Sequence, residues 1–208
     1  MLSEINLKKA NELLEAIRFF NAKGWSPATS TNYSVRSEKP TEYLISRSGV
    51  DKSKFALADL ILINPKGEVL PPFNAPGVRS SAETEIHTAI YQLFPQVACV
   101  LHTHSVLATT LSLRARAQGR IRFEGYEILK GLEGNTTHDL TYDLPVVPNS
   151  QEMKDILRGM EASFSKNIHG FLIAGHGLYA WGRDVAAAKR HIETFEFLFE
   201  CLHARGEI

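Results

Sequence analysis

The chain has few cysteines, no excess of either charge and no long apolar run. Its two cysteines, Cys99 and Cys201, lie in an apolar strand-like segment and an amphipathic helix-like segment, which predicts free thiols and favours a reducing compartment. Basic and acidic residues number 23 each, so charge indicates neither a nucleic-acid nor an acidic membrane partner. No apolar run approaches the roughly 20 residues of a membrane-spanning helix, and the N-terminus does not resemble a signal peptide. We therefore expect a cytoplasmic protein without a membrane or nucleic-acid partner.

Segments of helical and strand-like periodicity alternate along the 208 residues. The predicted helices cover residues 5–23, 80–94, 105–115, 150–164 and 184–206. Ser80 or Ser81 is the expected N-cap of the second helix, and Asp184 is the expected N-cap of the last. The segment GFLIAGHGLYAWG at 170–182 is predicted as one strand. Because no repeat or linker is visible, we expect a single layered α/β domain over 1–208, with helices flanking a central mixed sheet.

The segment VLHTHS ends an apolar strand with two histidines. Residues i and i+2 of a strand point to the same face, so His102 and His104 can bind one metal ion while Thr103 faces away. The alternative is a pair of hydrogen-bonded structural histidines. Glycines flank His176, and glycine weakens a strand unless backbone or ligand must come close there. A third histidine would complete a site with an open position, as in catalytic zinc sites, whereas the alternative is a simple bend.

Three segments are suited to an anion, because each offers hydroxyl and backbone N–H groups in a turn or at a helix start. These are SPATSTN at 26–32, SRSG at 46–49 and RSSAE at 79–83. Each pattern is also common in purely structural turns and caps. Several carboxylates lie in segments that could face a metal, and the spacing alone does not choose among them. They are Glu83, Glu85, Glu124, Glu127, Glu133 and Asp139.

Taken together, the motifs resemble those of the class II aldolase/epimerase superfamily along nearly the whole chain. The matching segments are SPATSTNYSVR, ISRSGVDKSKF, SSAETEIHTAIY, VLHTHS, FEGYEILKGL and IAGHGLYAWGRD. Within the superfamily, PATSTNYSVR, GYEILKG and NTTHDLTYDLPVVPNSQEMKDI most resemble the methylthioribulose-1-phosphate dehydratases. The resemblance implies a three-layer domain in which helices flank a central, mostly antiparallel mixed sheet.

The resemblance also implies roles for individual residues. One zinc ion per subunit would be bound by His102, His104 and His176. A phosphate pocket would be formed by Asn32, Ser48, Gly49, Ser80 and Ser81. Many members have glycine before the asparagine, where this chain has Thr31.

Two glutamates are candidates for the catalytic acid/base. In aldolase members a glutamate at the place of Glu83 moves the proton and also touches the metal. In dehydratase members the glutamate of GYE, here Glu127, is favoured, and we therefore favour Glu127 and keep Glu83 as the second candidate.

The implied function is zinc-dependent dehydration of 5-methylthioribulose 1-phosphate to 5-methylthio-2,3-dioxopentyl phosphate in methionine salvage. The alternative is a class II sugar-phosphate aldolase or pentulose-phosphate 4-epimerase, which would use the same metal. A non-enzymatic adaptor with this fold is disfavoured because it would not need the histidines and glutamates. By resemblance, we expect a homotetramer with sites near subunit interfaces. Phe123, Tyr126 and Trp181 are candidates to contact the methylthio tail, with core packing as the alternative role.

Overall fold

The computed structural model describes residues 2–165 and 167–206. Within these ranges the α-helices are α1 Glu4–Ala22, α2 Thr84–Leu93, α3 Val106–Arg114, α4 Met153–Ser163 and α5 Val185–Arg205. The strands are β1 Tyr33–Arg36, β2 Tyr43–Ser46, β3 Leu60–Ile63, β4 Cys99–Thr103, β5 Arg120–Glu124, β6 Thr141–Val147, β7 Gly170–Ile173 and β8 Gly177–Gly182. All eight join one sheet in the order β3-β2-β1-β4-β8-β7-β6-β5. Every neighbouring pair is antiparallel except β6 and β7, so the predicted mixed, mostly antiparallel sheet is confirmed.

Helices cover both faces of the sheet, which confirms the predicted three layers. One apolar core packs α1, α3 and α5 against one face, and a second packs α2 and α4 against the other. Alternate residues of β4 face opposite cores, since Cys99 and Leu101 belong to the first core and Val100 belongs to the second. This alternation places His102 on the same face as Val100 and Thr103 on the opposite face.

The strand register defines two ends of the sheet. Thr103 at the end of β4 pairs with Leu178 near the start of β8, and we call this end of the sheet the histidine end. The C-terminal residues of β6 and β7 lie at the same end, because Val147 pairs with Ile173 and Ile173 pairs with Gly177. The opposite end, where β8 finishes at Gly182, is called the far end.

Two local predictions were wrong. Residues 170–182 form a hairpin of β7 and β8 instead of one strand, because Gly175 takes a positive φ of 68° and the His176 N–H donates to the Ile173 carbonyl at 3.0 Å. Glycine adopts this conformation without steric cost. Helix α2 begins at Thr84, later than predicted, because Ser80 is held extended by a β-bridge to Arg47.

Other predictions were confirmed. The Asp184 side chain caps α5 by accepting a hydrogen bond from the Ala187 N–H at 2.7 Å. Cys99 and Cys201 are both free. Separately from these predictions, the helices in the described part of the chain include none that combines the length and the apolar character of a membrane span.

Candidate metal centre

Three histidines converge at the histidine end of the sheet. His102 lies on β4, His104 follows the same strand, and His176 lies in the β7–β8 turn. Their candidate ligand nitrogens all lie within 4.8 Å of one another. His102 is fully buried, whereas His104 and His176 are half-buried, so the cluster has one face open to a ligand.

The donor set fits a divalent metal ion. The His102 Nδ1 lies 3.0 Å from the Leu178 carbonyl oxygen, to which it donates in the Nδ1–H tautomer, leaving the Nε2 lone pair for an ion. That Nε2 lies only 2.7 Å from the His104 Nε2, and the buried His176 Nδ1 has no hydrogen-bond partner among the described residues. Burial lowers the pKa of His102 and lowers the pKa of His104 to about 4, which keeps both rings neutral and able to bind a metal.

Gly177 allows the turn to approach β4 closely. A Cβ at this position would lie 2.2 Å from the Thr103 carbonyl oxygen and 3.1 Å from the His102 ring. No larger residue fits without moving the backbone of β4. The glycine beside His176 is therefore required for the close approach that the sequence indicated.

Glu83 lies against this cluster at the N-terminus of α2. Its carboxylate oxygens are 3.2 Å from the His176 Nε2 and 3.5 Å from the His102 Nε2. The Asn32 side-chain amide donates to Glu83 at 2.7 Å, and the Tyr179 hydroxyl donates to the same oxygen. Burial alone would raise the pKa of Glu83, but the adjacent His102 and His176 rings and the hydrogen bonds from His176 and Tyr179 hold this pKa well below its usual value. Glu83 is therefore ionised beside the histidine nitrogens and can act as a ligand or a base.

Two further residues belong to this network and were missed in the sequence. His87 is fully buried, and its Nε2 contacts the Asn32 side-chain oxygen while its Nδ1 lies 2.7 Å from the Ser34 hydroxyl. Tyr179 is likewise absent from the residues predicted to form the site. A signal for His87 was present, because it lies four residues after Glu83 and thus near the same face of the α2 helix.

The predicted phosphate residues lie beside this network. The Ser48 N–H donates to the Arg79 carbonyl, which places the 48–49 turn next to the serines that precede α2. Asn32 contacts both Glu83 and, at 3.4 Å, the Ser81 hydroxyl. Gly49 has a positive φ of 77°, and Ser48 is exposed. Phosphate binding by Asn32, Ser48, Gly49, Ser80 and Ser81 stays a prediction, with Asn32 also positioning Glu83.

Thr31 takes a conformation that glycine favours. Its φ is +73°, and it precedes Asn32 directly. A β-branched residue in this region is strained. The backbone directly before Asn32 is therefore left-handed although the residue there is not glycine.

Glu127 lies elsewhere in the protomer. It follows β5, whose last residue Glu124 pairs with Thr141 at the far end, one length of β6 (about 20 Å for seven residues) from the histidine end. Its carboxylate contacts Lys130 and His138, and its side chain is 68% exposed. None of these contacts involves the histidine cluster, so the structure does not bring Glu127 to the histidines of its own chain.

Comparison with known proteins identifies the same family that the sequence motifs indicate. The family model described as Class II Aldolase and Adducin N-terminal domain matches residues 11–203. The chain belongs to this family. It is 48% identical over 197 residues to a methylthioribulose-1-phosphate dehydratase from a Picosynechococcus species, over 94% of this chain and 92% of that protein. It is 45% identical over 193 residues to a protein of the same name from Xanthomonas campestris, over 92% of this chain and 87% of that protein.

Solved structures show the same class II aldolase fold. A putative aldolase/epimerase/decarboxylase from Klebsiella pneumoniae aligns with a TM-score of 0.79 at 20% identity, over 98% of this chain and 92% of that one. The L-fuculose-1-phosphate aldolase from Thermus thermophilus aligns with a TM-score of 0.75 at 21% identity, over 96% of both chains. The resemblance to class II aldolases, and among them to the methylthioribulose-1-phosphate dehydratases, is therefore confirmed.

Proposed function

We propose that this class II aldolase-family protein is a zinc-dependent dehydratase that converts 5-methylthioribulose 1-phosphate to 5-methylthio-2,3-dioxopentyl phosphate in methionine salvage. The observation that carries the proposal is the convergence of ring nitrogens of His102, His104 and His176 within 4.8 Å of one another, beside an ionised Glu83. The named relatives at 48% and 45% identity support the substrate. The proposal includes one zinc ion per subunit, a single domain over 1–208, a cytoplasmic location and a homotetramer.

The three histidines would hold the ion, and Glu83 lies where it could complete the ligand set. A divalent ion bound there supplies Lewis-acid polarisation of the ketose oxygens, which acidifies the neighbouring C–H bond. The phosphate pocket of Asn32, Ser48, Gly49, Ser80 and Ser81 would orient the substrate at a distance from the reacting carbons.

Dehydration requires a base for the C3 proton and an acid for the C4 hydroxyl, which leaves as water. The resulting enol then becomes the 2,3-diketone. Glu83 is at the metal centre of its own protomer, whereas Glu127 is at the far end of the sheet. We keep Glu127 as the acid/base and therefore propose that it serves the metal centre of a neighbouring subunit in the tetramer. An exposed carboxylate is available for such a contact.

A product assay tests the reaction. Metal-loaded wild-type protein is mixed with methylthioribulose 1-phosphate, and the diketone is followed by mass spectrometry beside Glu127→Gln, His104→Ala and a control, Glu161→Gln, on the exposed side of α4. We expect the diketone with wild type and control and a loss of at least about 100-fold in both site variants. Intact substrate with metal-loaded wild type would refute the dehydratase, and an aldehyde fragment or an epimer would instead support the aldolase or epimerase.

Mixing the two inactive variants tests the origin of Glu127. Co-expressed His104→Ala and Glu127→Gln subunits can form sites with intact histidines from one chain and an intact Glu127 from another. With random mixing we expect recovery of about a quarter of the wild-type activity, because each variant restores what the other lacks. No recovery in verified mixed oligomers would contradict catalysis by Glu127 across subunits.

A further inference from the structure

A cavity of about 590 Å³ opens beside the metal centre. Glu83, His104 and His176 line one side of it. The other side is formed by the segment that connects β6 to α4, at 149–151, and by the first turn of α4. The reacting centre and this second wall therefore share one space.

The lining of the cavity combines apolar side chains with uncharged polar ones. Met153 and Ile156 belong to the second wall, and Val106, the first residue of α3, lines the same cavity and is 77% exposed. Among the described residues that line the cavity, Glu83 is the only acidic one, and none is lysine or arginine. This compartment thus suits an uncharged, apolar substituent, and its described lining has no cationic side chain for a second phosphate.

The order of the strands sets the direction in which a substrate would lie. The predicted phosphate turn at 48–49 follows β2, the histidines lie on β4 and in the β7–β8 turn, and α4 follows β6. In the sheet, β1, β4, β8 and β7 lie between β2 and β6. A ketose held by its phosphate beside β2, with its carbonyl at the histidines, would direct its remote end toward α4.

We propose that Met153, Ile156 and Val106 form the subsite for an alkylthio group at the end of the substrate remote from the phosphate. The contact of a thioether tail with these side chains would make the enzyme prefer this tail over a hydroxyl group. This inference rests on the proposed function, because it assigns the remaining part of that substrate.

The aromatic residues suggested by the sequence do not form this subsite. Phe123 and Trp181 pack within the two apolar cores, as the core-packing alternative predicted, and neither is among the described residues that line this cavity. Tyr126 contacts Arg205 and precedes the Glu127 turn, away from the histidine end. The apolar wall at α4 is thus the part of the described structure that lies against the metal centre and suits the tail.

The test compares two ligands that differ only in the tail: methylthioribulose 1-phosphate and ribulose 1-phosphate, which has a hydroxyl in its place. For each we would measure kcat/KM by product formation and Kd by calorimetry. The variants are Met153→Gln, which replaces the thioether by an amide of similar length, Met153→Leu, which stays apolar, and Lys154→Gln as an exposed control on the same helix.

Wild type should favour the methylthio ligand by roughly 10–200-fold, the range expected for a small apolar group in a hydrophobic pocket. Met153→Gln should reduce this ratio at least fivefold through the methylthio ligand alone, whereas Met153→Leu and Lys154→Gln should preserve it. An unchanged ratio in Met153→Gln, or an equal loss for both ligands, would overturn the subsite. If wild type converts neither ligand but binds the methylthio one more tightly in a Met153-dependent manner, the subsite stands and the dehydratase fails.

Discussion

The two ends of the sheet each hold a group of buried and half-buried histidines, yet they differ in how the ring nitrogens are engaged. His102 and His104 pack with ring centroids 4.5 Å apart at the histidine end, and His169 and His191 pack at 4.6 Å at the far end. Burial lowers the pKa of both His104 and His191 to about 4. Neither proximity nor a lowered pKa therefore distinguishes the two groups.

The difference lies in the hydrogen bonds. The His191 Nδ1 lies 2.7 Å from the Trp181 carbonyl oxygen, to which it donates, and its Nε2 accepts from the Glu133 N–H at 3.1 Å. Both nitrogens of His191 are thus engaged by backbone, which makes it a structural residue. At the histidine end, only the His102 Nδ1 has a backbone partner, while the Nε2 atoms of His102 and His104 point toward each other. Converging ring nitrogens that lack backbone hydrogen bonds therefore indicate a metal site, whereas burial of the histidine rings alone does not.

The largest effect is expected when one histidine is removed at each end of the sheet and the bound metal is measured. His104→Ala should lower the metal content from about one ion per chain to below about 0.1, because it leaves only two of the three converging histidine ligands. His191→Gln should keep its metal and lose stability by about 1–3 kcal/mol, because buried backbone partners become unsatisfied. Elemental analysis after dialysis and chemical denaturation would measure these effects. Metal retained by His104→Ala, or lost from a folded His191→Gln, would contradict the comparison.

The sequence could predict what depends on local periodicity. The His-x-His pair follows from strand alternation on β4, and the glycines beside His176 indicated a close backbone approach that Gly177 confirms. The layered α/β fold followed from the alternation of periodic segments. These features need no knowledge of which strands are neighbours.

What the sequence could not predict depends on pairings between distant segments. Asn32 contacts His87, which lies 55 residues away in the sequence, and Tyr179 contacts Glu83, which lies 96 residues away. The placement of Glu127 depends on the direction in which β5 pairs with β6, which local periodicity does not specify. For the same reason the sequence does not separate β7 from β8, since an apolar run around glycines is compatible with one continuous strand or with a hairpin.

A smaller effect is expected from a buried charge near the histidine end. Lys52 is 2% exposed, and its Nζ donates to the Val50 carbonyl at 3.0 Å. The nearby carboxylates are engaged elsewhere, since Asp51 accepts from Ser53 and Asp59 binds Arg47. Burial lowers the pKa of Lys52 to about 8, with Asp51 and Asp59 only partly opposing it. This ammonium therefore destabilises the folded chain at neutral pH.

Replacing Lys52 by methionine should stabilise the protein by on the order of 1–3 kcal/mol at pH 7, because the cost of burying the charge disappears. Between about pH 8 and pH 10.5 the folded chain binds fewer protons at Lys52 than the unfolded chain does, so this residue makes the wild type gain stability as pH rises. Lys52→Met should lose that gain. Urea denaturation at pH 7, 8.5 and 10 would measure it, with the exposed Lys54→Met as control. Equal pH dependence in wild type and Lys52→Met would refute the argument.

The smallest expected effect concerns backbone strain beside Asn32. Thr31 has a φ of +73°, a region that costs a residue with a Cβ roughly 1–2 kcal/mol, whereas glycine enters it freely. Glycine also loses more chain entropy on folding, by about 0.5–1 kcal/mol, so Thr31→Gly should stabilise the protein by about 1 kcal/mol or slightly less. Thr29 lies in the same loop without a positive φ, so Thr29→Gly should destabilise by a similar amount. If denaturation of the metal-free proteins showed both variants losing stability, the backbone at Thr31 would not be strained, and Asn32 would be held in place by side-chain contacts such as those to Glu83 and His87.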